Sequence, residues 1–166
     1  MLEAFGNAKT VRNDNSSRFG KYVKILVRGR KIEGAEITKY LLEKSRVVKL
    51  GEGERNYHIF YHLLRGGNSD ILKAIHLENI RIDDFKYLNQ SSCRDIDGMV
   101  DSELFEGILS CLKKMNFSME REMAVFKMLS GVLYLGNIEF LDGNFDENTA
   151  CTIENQQTLT TVCELL

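Results

Sequence analysis

The chain is 166 residues long, and its 43% hydrophobic and 28% charged residues are ordinary for a globular protein with one sizeable core. A net charge of −2 gives no electrostatic reason to expect nucleic acid or an anionic membrane as a partner. The four cysteines are scattered without a C-x-x-C pair, which argues against a zinc site and fits a reducing cytosol. The N-terminus lacks the pattern of a signal peptide, and no apolar run approaches the roughly 20 residues that span a bilayer.

A polar run with two adjacent hydroxyls covers residues 13–21, Asn-Asp-Asn-Ser-Ser-Arg-Phe-Gly-Lys. Ser16 and Ser17 stand beside Arg18, shortly before a segment rich in β-branched residues. A hydroxyl is a hard oxygen ligand that Mg²⁺ accepts beside phosphate oxygens and water. The run therefore suits contact with the terminal phosphate of a nucleotide and its magnesium ion. Read alone, it is equally compatible with a solvated loop, because Asn, Asp and Ser favour turns.

Two strands and then a helix are predicted after the polar run. β-Branched and aromatic residues indicate one strand over residues 22–27 and a second over roughly residues 32–42, separated by a glycine-containing turn at residues 28–31. From residue 54 onward apolar residues recur at helical spacing until the run Gly66-Gly67-Asn68, which ends the helix.

The second half of the chain is predicted to be mainly helical. An amphipathic helix is expected to begin at an N-cap formed by Asp101 or Ser102. Ser118 is expected to cap another helix, which carries apolar residues on more than one face and closes at Gly136. Short strands and a surface loop are predicted over residues 138–153.

Two further patterns resemble sites but are interpreted as structural. The run at residues 51–54, Gly-Glu-Gly-Glu, lacks the lysine of a phosphate-binding loop, and its glutamates would repel phosphate. His58 and His62 are four residues apart on one helix face, yet Ile59 stands where a zinc protease needs glutamate. We therefore expect a flexible loop and two packed histidines.

Several motifs, in the right order, resemble the motor domain of myosins. The pattern N-x-x-S-S-R at residues 13–18 occurs in the first switch loop of myosins and kinesins, and the continuation Phe19-Gly20-Lys21 resembles myosin, whereas kinesins usually continue Ser-His. Matching motifs extend over nearly the whole chain, at residues 2–10, 40–48, 54–61, 87–90 and 133–140.

The resemblance implies roles for four residues of the polar run. Ser17 would give its hydroxyl to Mg²⁺, and Ser16 would lie against the γ-phosphate of ATP and help to hold the attacking water. The Asn13 amide would contact the phosphates, and Arg18 would pair with a glutamate of the second switch loop. These roles fit phosphoryl transfer, in which the protein mainly positions groups and stabilises charge.

The resemblance also implies the fold and the cellular setting. The expected fold class is α+β and mostly helical, with a β-hairpin (the transducer) that belongs to the central mixed sheet of a P-loop NTPase motor. Residues 1–50 would form the switch loop and hairpin, and residues 51–166 a mainly helical subdomain above the actin-binding cleft. The implied protein is cytoplasmic and cytoskeleton-associated, with ATP and the actin filament as partners and with light chains bound outside this segment.

Two alternatives remain at this point. A kinesin-type motor is disfavoured by Phe19-Gly20 and by the helices that follow the switch. A truncated, non-catalytic helical interaction module is the second hypothesis, which the Met1 start permits. However, Met1 is followed directly by family sequence that resembles the middle of a helix, and this favours a partial fragment.

The isolated chain is expected not to bind or hydrolyse ATP. Its sequence holds no G-x-x-x-x-G-K-[ST] phosphate loop and no D-I-x-G-F-E second switch loop, and the similar run at residues 95–100 places Val100 where Arg18 needs a carboxylate. Arg18 is thus expected to lack a partner. Titration calorimetry of these 166 residues with Mg-ATP should show no micromolar binding, because the backbone donors and the lysine that hold the phosphates are missing. Micromolar binding would contradict this expectation.

Overall fold

The structure, a computed structural model, describes residues 1–141 and 151–166, so most of the surface loop predicted within residues 138–153 lies outside the described residues. The elements in chain order are α1 (Leu2–Gly6), β1 (Asn7–Thr10), β2 (Asn13–Ser17), β3 (Gly20–Arg28), β4 (Lys31–Tyr40), α2 (Ser45–Val48), α3 (His58–Gly66), α4 (Ser69–Ala74), a 3₁₀ turn (Ile82–Asp84), α5 (Asp101–Lys114), α6 (Met119–Gly136), β5 (Phe140–Leu141), β6 (Thr152–Ile153) and α7 (Gln156–Leu165). The mixture of helices and small sheets confirms the predicted α+β composition.

The strands form small antiparallel pairs. β1 pairs with β2, β3 with β4, and β5 with β6. Ala8 of β1 also forms an antiparallel bridge to Tyr57, so β1 lies between β2 and the segment that leads into α3. This arrangement attaches β2 to the helical part of the molecule through β1.

The long hairpin β3–β4 confirms the two predicted strands. Its two-residue loop begins at Gly29, whose φ of 62° is a conformation that glycine adopts without steric cost. Apolar side chains are exposed on both faces of the hairpin, including Ile25 at 58% and Ile32 at 72%. A two-stranded hairpin is marginally stable by itself in water, so its faces are suited to being covered by other structure.

The hydrophobic core lies among the helices. α3 packs against α5 and α1, and α6 packs against α7. The fully buried side chains include large aromatic and aliphatic residues from the helices and from the segment between α4 and α5: Tyr61, Leu63, Phe85, Leu88, Phe105, Leu112, Phe126 and Leu133. None of the helices among the described residues is long and apolar enough to cross a membrane.

Gly66 permits the close contact of α3 with α5. A Cβ at this position would lie 2.4 Å from the Cβ of Phe105 and 3.0 Å from the Cα of Ser102. Contacts this short with a helix backbone cannot be relieved by a side-chain rotation. The glycine that was predicted to end α3 therefore also sets the separation of the two helices.

The predicted cap of α6 is confirmed, whereas the predicted cap of α5 is wrong. The Ser118 side chain accepts a hydrogen bond from the backbone N–H of Arg121, and α6 ends at Gly136. The N-cap of α5 is Val100, which has no side-chain cap bond. Asp101 instead lies inside the first turn of α5, with its carboxylate buried against α3.

The Asp101 carboxylate joins α5 to α3 through three cationic or polar partners. Its Oδ1 accepts from Arg55 Nη2 at 2.8 Å and from His62 Nδ1 at 2.7 Å, and its Oδ2 accepts from Arg65 Nη1 at 2.7 Å. Burial alone would raise the pKa of Asp101, but the hydrogen bonds from His62 and Arg55 outweigh it and hold the pKa at about 2. The guanidinium of Arg55 also lies 3.8 Å from the centroid of the Tyr61 ring.

Asp101→Asn should destabilise the protein strongly. The change leaves the buried Arg55 without a counter-charge, and breaking a buried pair in this way costs about 3–5 kcal/mol. Asp95→Asn is the matched control, because Asp95 contacts the same Arg65 at 2.7 Å but is 79% exposed, and its loss should cost less than about 1 kcal/mol. Urea unfolding of both variants measures the difference, and equal losses would contradict the structural role of Asp101.

Candidate functional site

Residues 13–17 of the polar run form the strand β2, whereas the sequence predicted a loop. β2 pairs with β1 in the register Asn7–Ser17, Ala8–Ser16 and Thr10–Asn13. The turn-favouring residues of the run were read as a loop because their partner strand was not recognised. Side chains alternate along a strand, so the neighbours Ser16 and Ser17 project from opposite faces of β2. The register is irregular between Ala8 and Thr10, and it places Asn13 on the same face as Ser16.

Ser16 and Arg18, two of the predicted site residues, lie together. The Arg18 guanidinium donates from Nη1 to the Ser16 hydroxyl oxygen at 3.2 Å. The same guanidinium forms a two-pronged ion pair with Glu43, from Nε to Oε2 at 2.8 Å and from Nη2 to Oε1 at 2.9 Å. The expectation that Arg18 lacks a partner within this chain is therefore wrong.

The Arg18–Glu43 ion pair closes the base of the β3–β4 hairpin. Arg18 lies just before β3 and Glu43 lies just after β4, and the Glu43 backbone N–H donates to the Arg18 carbonyl at 2.9 Å. The partner residues are 25 positions apart in sequence. No local pattern in the sequence indicates this pairing.

Glu43 is held by a second arginine and by the backbone. Arg46 Nε donates to its Oε2 at 2.6 Å, and the Tyr57 hydroxyl donates to its carbonyl at 2.8 Å. The bond from Arg18 lowers the pKa of Glu43 most, burial opposes this, and Arg46 lowers it further, to about 2. The bond to Glu43 likewise raises the pKa of Arg18. Both residues are therefore charged at neutral pH.

Asn13 and Ser17 lie at opposite ends of β2 and are exposed. The Asn13 side-chain oxygen accepts from the Asn15 backbone N–H at 2.8 Å. The structure thus brings Ser16 and Arg18 into contact but does not bring Asn13 or Ser17 to them. The predicted nucleotide and magnesium roles of these residues remain predictions.

Asn15 was not among the predicted site residues of the run, yet its side chain joins three parts of the structure. Its side-chain Oδ1 accepts from Asn7 Nδ2 at 3.0 Å and lies 3.2 Å from His58 Nε2, while its Nδ2 donates to Glu3 Oε2 at 3.1 Å. His58 is the first residue of α3 and is buried, and its ring stacks on His62 with the centroids 5.9 Å apart. The two histidines are thus packed, as predicted, and no three residues of the described part group as a metal site.

The whole chain matches one protein family. The family model described as the myosin head (motor domain) covers residues 1–166. The chain belongs to the myosin head family. This membership confirms the resemblance carried by the motifs and decides in favour of myosin over kinesin.

Individual myosins from distant organisms show the same relationship. The segment is 42% identical to the human unconventional myosin-XV over 166 residues, which is 100% of this chain and 5% of that protein. It is 45% identical to the myosin ID heavy chain of Dictyostelium discoideum over 89% of this chain and 13% of that protein. It is 49% identical to myosin-1 of Arabidopsis thaliana over 84% of this chain and 12% of that protein. The chain therefore spans only a small part of the length of these relatives.

An apolar cavity of this myosin head segment is separate from the hydroxyls. It measures about 540 Å³ and lies between α1, the base of the hairpin and the α5–α6 connection. Its lining includes Phe5, Phe19, Tyr40, Leu42 and Phe117 but neither Ser16 nor Ser17. The cavity is thus not a candidate for the phosphate site.

The glycine-rich run at residues 51–54 is engaged in contacts within the chain. Glu54 accepts from Arg46 Nη1 at 3.1 Å, and Glu52 accepts from the Ser92 backbone N–H at 3.2 Å. Its carboxylates thus bind groups of this chain.

The buried His58 should make the stability of the protein fall in acid. Burial, followed by the charge of Arg55, lowers the pKa of His58 from 6.5 to about 4. Below pH 6.5 His58 becomes protonated in the unfolded chain, whereas in the folded protein it stays neutral until about pH 4. The free energy of unfolding therefore decreases as the pH falls from 6.5 to about 4. Between pH 7.5 and pH 5 the loss should be about 2 kcal/mol.

His58→Gln removes this titration and serves as the comparison. Urea unfolding at the two pH values should show a smaller loss of stability in the variant by about the same 2 kcal/mol. Parallel pH dependences of the wild type and the variant would show that His58 is not held neutral.

Proposed function

We propose that this segment is the part of an ATP-driven, actin-based motor that senses the γ-phosphate of ATP. The observation that supports the proposal is the contact of one guanidinium, that of Arg18, with both the Ser16 hydroxyl and the Glu43 carboxylate. A group that joins a phosphate-contacting hydroxyl to a partner on another segment can report whether the phosphate is present.

The Arg18–Glu43 pair is suited to being exchanged. The side chains are 28% and 32% exposed, so water reaches both groups and screens the pair. Glu43 also keeps its bond to Arg46, so the departure of Arg18 leaves no unpaired carboxylate. We infer that Arg18 leaves Glu43 when it pairs with the glutamate of the second switch loop, which the myosin pattern D-I-x-G-F-E supplies outside this sequence.

Ser16 and Ser17 are assigned the γ-phosphate and the magnesium ion, respectively, and Asn13 the phosphates. One hydroxyl together with phosphate oxygens and water is a donor set that Mg²⁺ accepts, and Ser17 is exposed at the end of β2. Adjacent strand residues project to opposite faces. Simultaneous contact of both hydroxyls with one nucleotide therefore requires the backbone at the end of β2 to turn, as expected for a segment that responds to the phosphate.

The hairpin is assigned to the transmission of movement from the nucleotide to actin. Its apolar faces are exposed, and we propose that other strands of a central sheet in a P-loop NTPase fold cover them. Residues 1–50 would then form the switch segment and the transducer, and residues 51–166 the mainly helical subdomain above the actin cleft. A cytoplasmic, cytoskeleton-associated location follows from this assignment.

The non-catalytic helical interaction module is not favoured. The family match includes residues 1–40, which form the strand pairs β1–β2 and β3–β4, as well as the helices. A module that works through its helices alone gives no reason for the hydroxyl run and its arginine to be present.

Arg18→Glu should abolish ATP hydrolysis by the full-length protein that contains this segment. The change removes the charge that links Ser16 to its carboxylate partners and places a like charge beside Glu43. Turnover should fall by about 100-fold or more, because Ser16 is no longer held in position for the transferred phosphate, while ATP binding should persist. Steady-state hydrolysis and the binding of a fluorescent ATP analogue measure the two quantities.

Arg12→Glu is the control for the charge reversal. Arg12 is exposed in the turn between β1 and β2, so the same substitution changes the net charge equally without touching Ser16 or Glu43. This variant should keep wild-type turnover. Unchanged turnover in Arg18→Glu would show that the gating role is misassigned.

A further inference from the structure

The Asn15 side chain has a defined orientation. Its Nδ2 donates to the Glu3 carboxylate, because an ionised carboxylate has no hydrogen to donate and acts only as an acceptor. The opposite end of the amide, Oδ1, therefore faces Asn7 Nδ2 at 3.0 Å and His58 Nε2 at 3.2 Å. Since this oxygen is an acceptor, the hydrogen lies on Nε2 of His58.

His58 is a rigid donor for this bond. It is 2% exposed at the start of α3, and its ring stacks on His62, which is bonded to the buried carboxylate of Asp101. The nearby Arg55 guanidinium opposes a second proton on the ring. The N–H of His58 thus projects from the fixed helical core towards β2.

We propose that His58 and Asn15 form a clasp that positions β2, and with it Ser16 and Ser17, on the helical core. The proposal rests on the γ-phosphate-sensing function proposed above and adds two positioning residues to it. Neither residue is assigned a contact with the nucleotide. Their effect is exerted through the strand that carries the two hydroxyls.

β2 is attached to the rest of the molecule by its pairing with β1, by the Ser16–Arg18 bond and by the side chain of Asn15. Its five residues are largely exposed, and its strand partner is β1. Asn15 immediately precedes Ser16. A shift of the backbone at Asn15 therefore also shifts the residues that carry the two hydroxyls. A misplacement of about 1 Å in a reacting group can lower a rate by about 100-fold.

The test compares two substitutions of His58 in the full-length protein that contains this segment. His58→Phe keeps a ring of similar size but removes the donor, whereas His58→Gln keeps an N–H that can reach Asn15. We expect His58→Phe to lower single-turnover ATP hydrolysis by about 10- to 100-fold and His58→Gln by less than about threefold. Binding of a fluorescent ATP analogue should change by less than about threefold in both variants.

Asn15→Leu tests the other half of the clasp at an exposed position that tolerates substitution. It should lower hydrolysis at least as much as His58→Phe, because it removes the bond to His58 together with those to Asn7 and Glu3. The double variant should be no slower than Asn15→Leu, because that substitution has already removed the bond to His58. His76→Phe, at an exposed histidine outside the clasp, should hydrolyse ATP at the wild-type rate.

The outcomes separate this inference from the function on which it rests. Wild-type hydrolysis in both His58→Phe and Asn15→Leu, or additive losses in the double variant, would overturn the clasp. Equal loss in His58→Gln and His58→Phe, with an equal fall in thermal stability, would also overturn it in favour of a packing role. Loss of hydrolysis in Arg18→Glu alone would keep the proposed function and reject the clasp. Wild-type hydrolysis in Arg18→Glu would reject the proposed function.

Discussion

The buried carboxylate of Asp101 holds together the helical core of the described structure. It binds Arg55, His62 and Arg65 and so locks α3 against α5 at the close distance that Gly66 permits. His58, one turn before His62, is thereby held in place and faces the strand β2. The proposed clasp would connect this ion cluster, through His58, to the position of the hydroxyl run.

The two ion clusters of the segment differ in burial. Arg55 and Asp101 are fully buried, so breaking their pair costs several kcal/mol. The Arg18–Glu43 pair is partly exposed and its carboxylate also binds Arg46, so Glu43 stays paired when Arg18 leaves. The proposed function uses this difference, because it requires Arg18 to change partners while the helical core stays in place.

Local sequence patterns predicted the helices and strands, but the partners of the candidate site residues depend on long-range contacts. The hairpin β3–β4, the helix α3 and the Ser118 cap of α6 were predicted because turn, periodicity and capping signals lie within a few residues. The polar run was interpreted as a loop because its pairing with β1 is not a local property. Glu43 was missed as the partner of Arg18 because it lies 25 positions away, and Asp101 was missed as the partner of Arg55 because it lies 46 positions away.

The location of Arg18 and Glu43 at the base of one hairpin makes the coupling reciprocal. The two residues flank β3 and β4, whose ends are paired at Gly20 and Tyr40. A torque that separates these strand ends pulls on the ion pair, and breaking the ion pair lets the strands twist. Thermodynamic linkage requires both directions to have the same coupling free energy. Under the proposed function, external load on the hairpin would therefore change the affinity of the full-length protein for ATP.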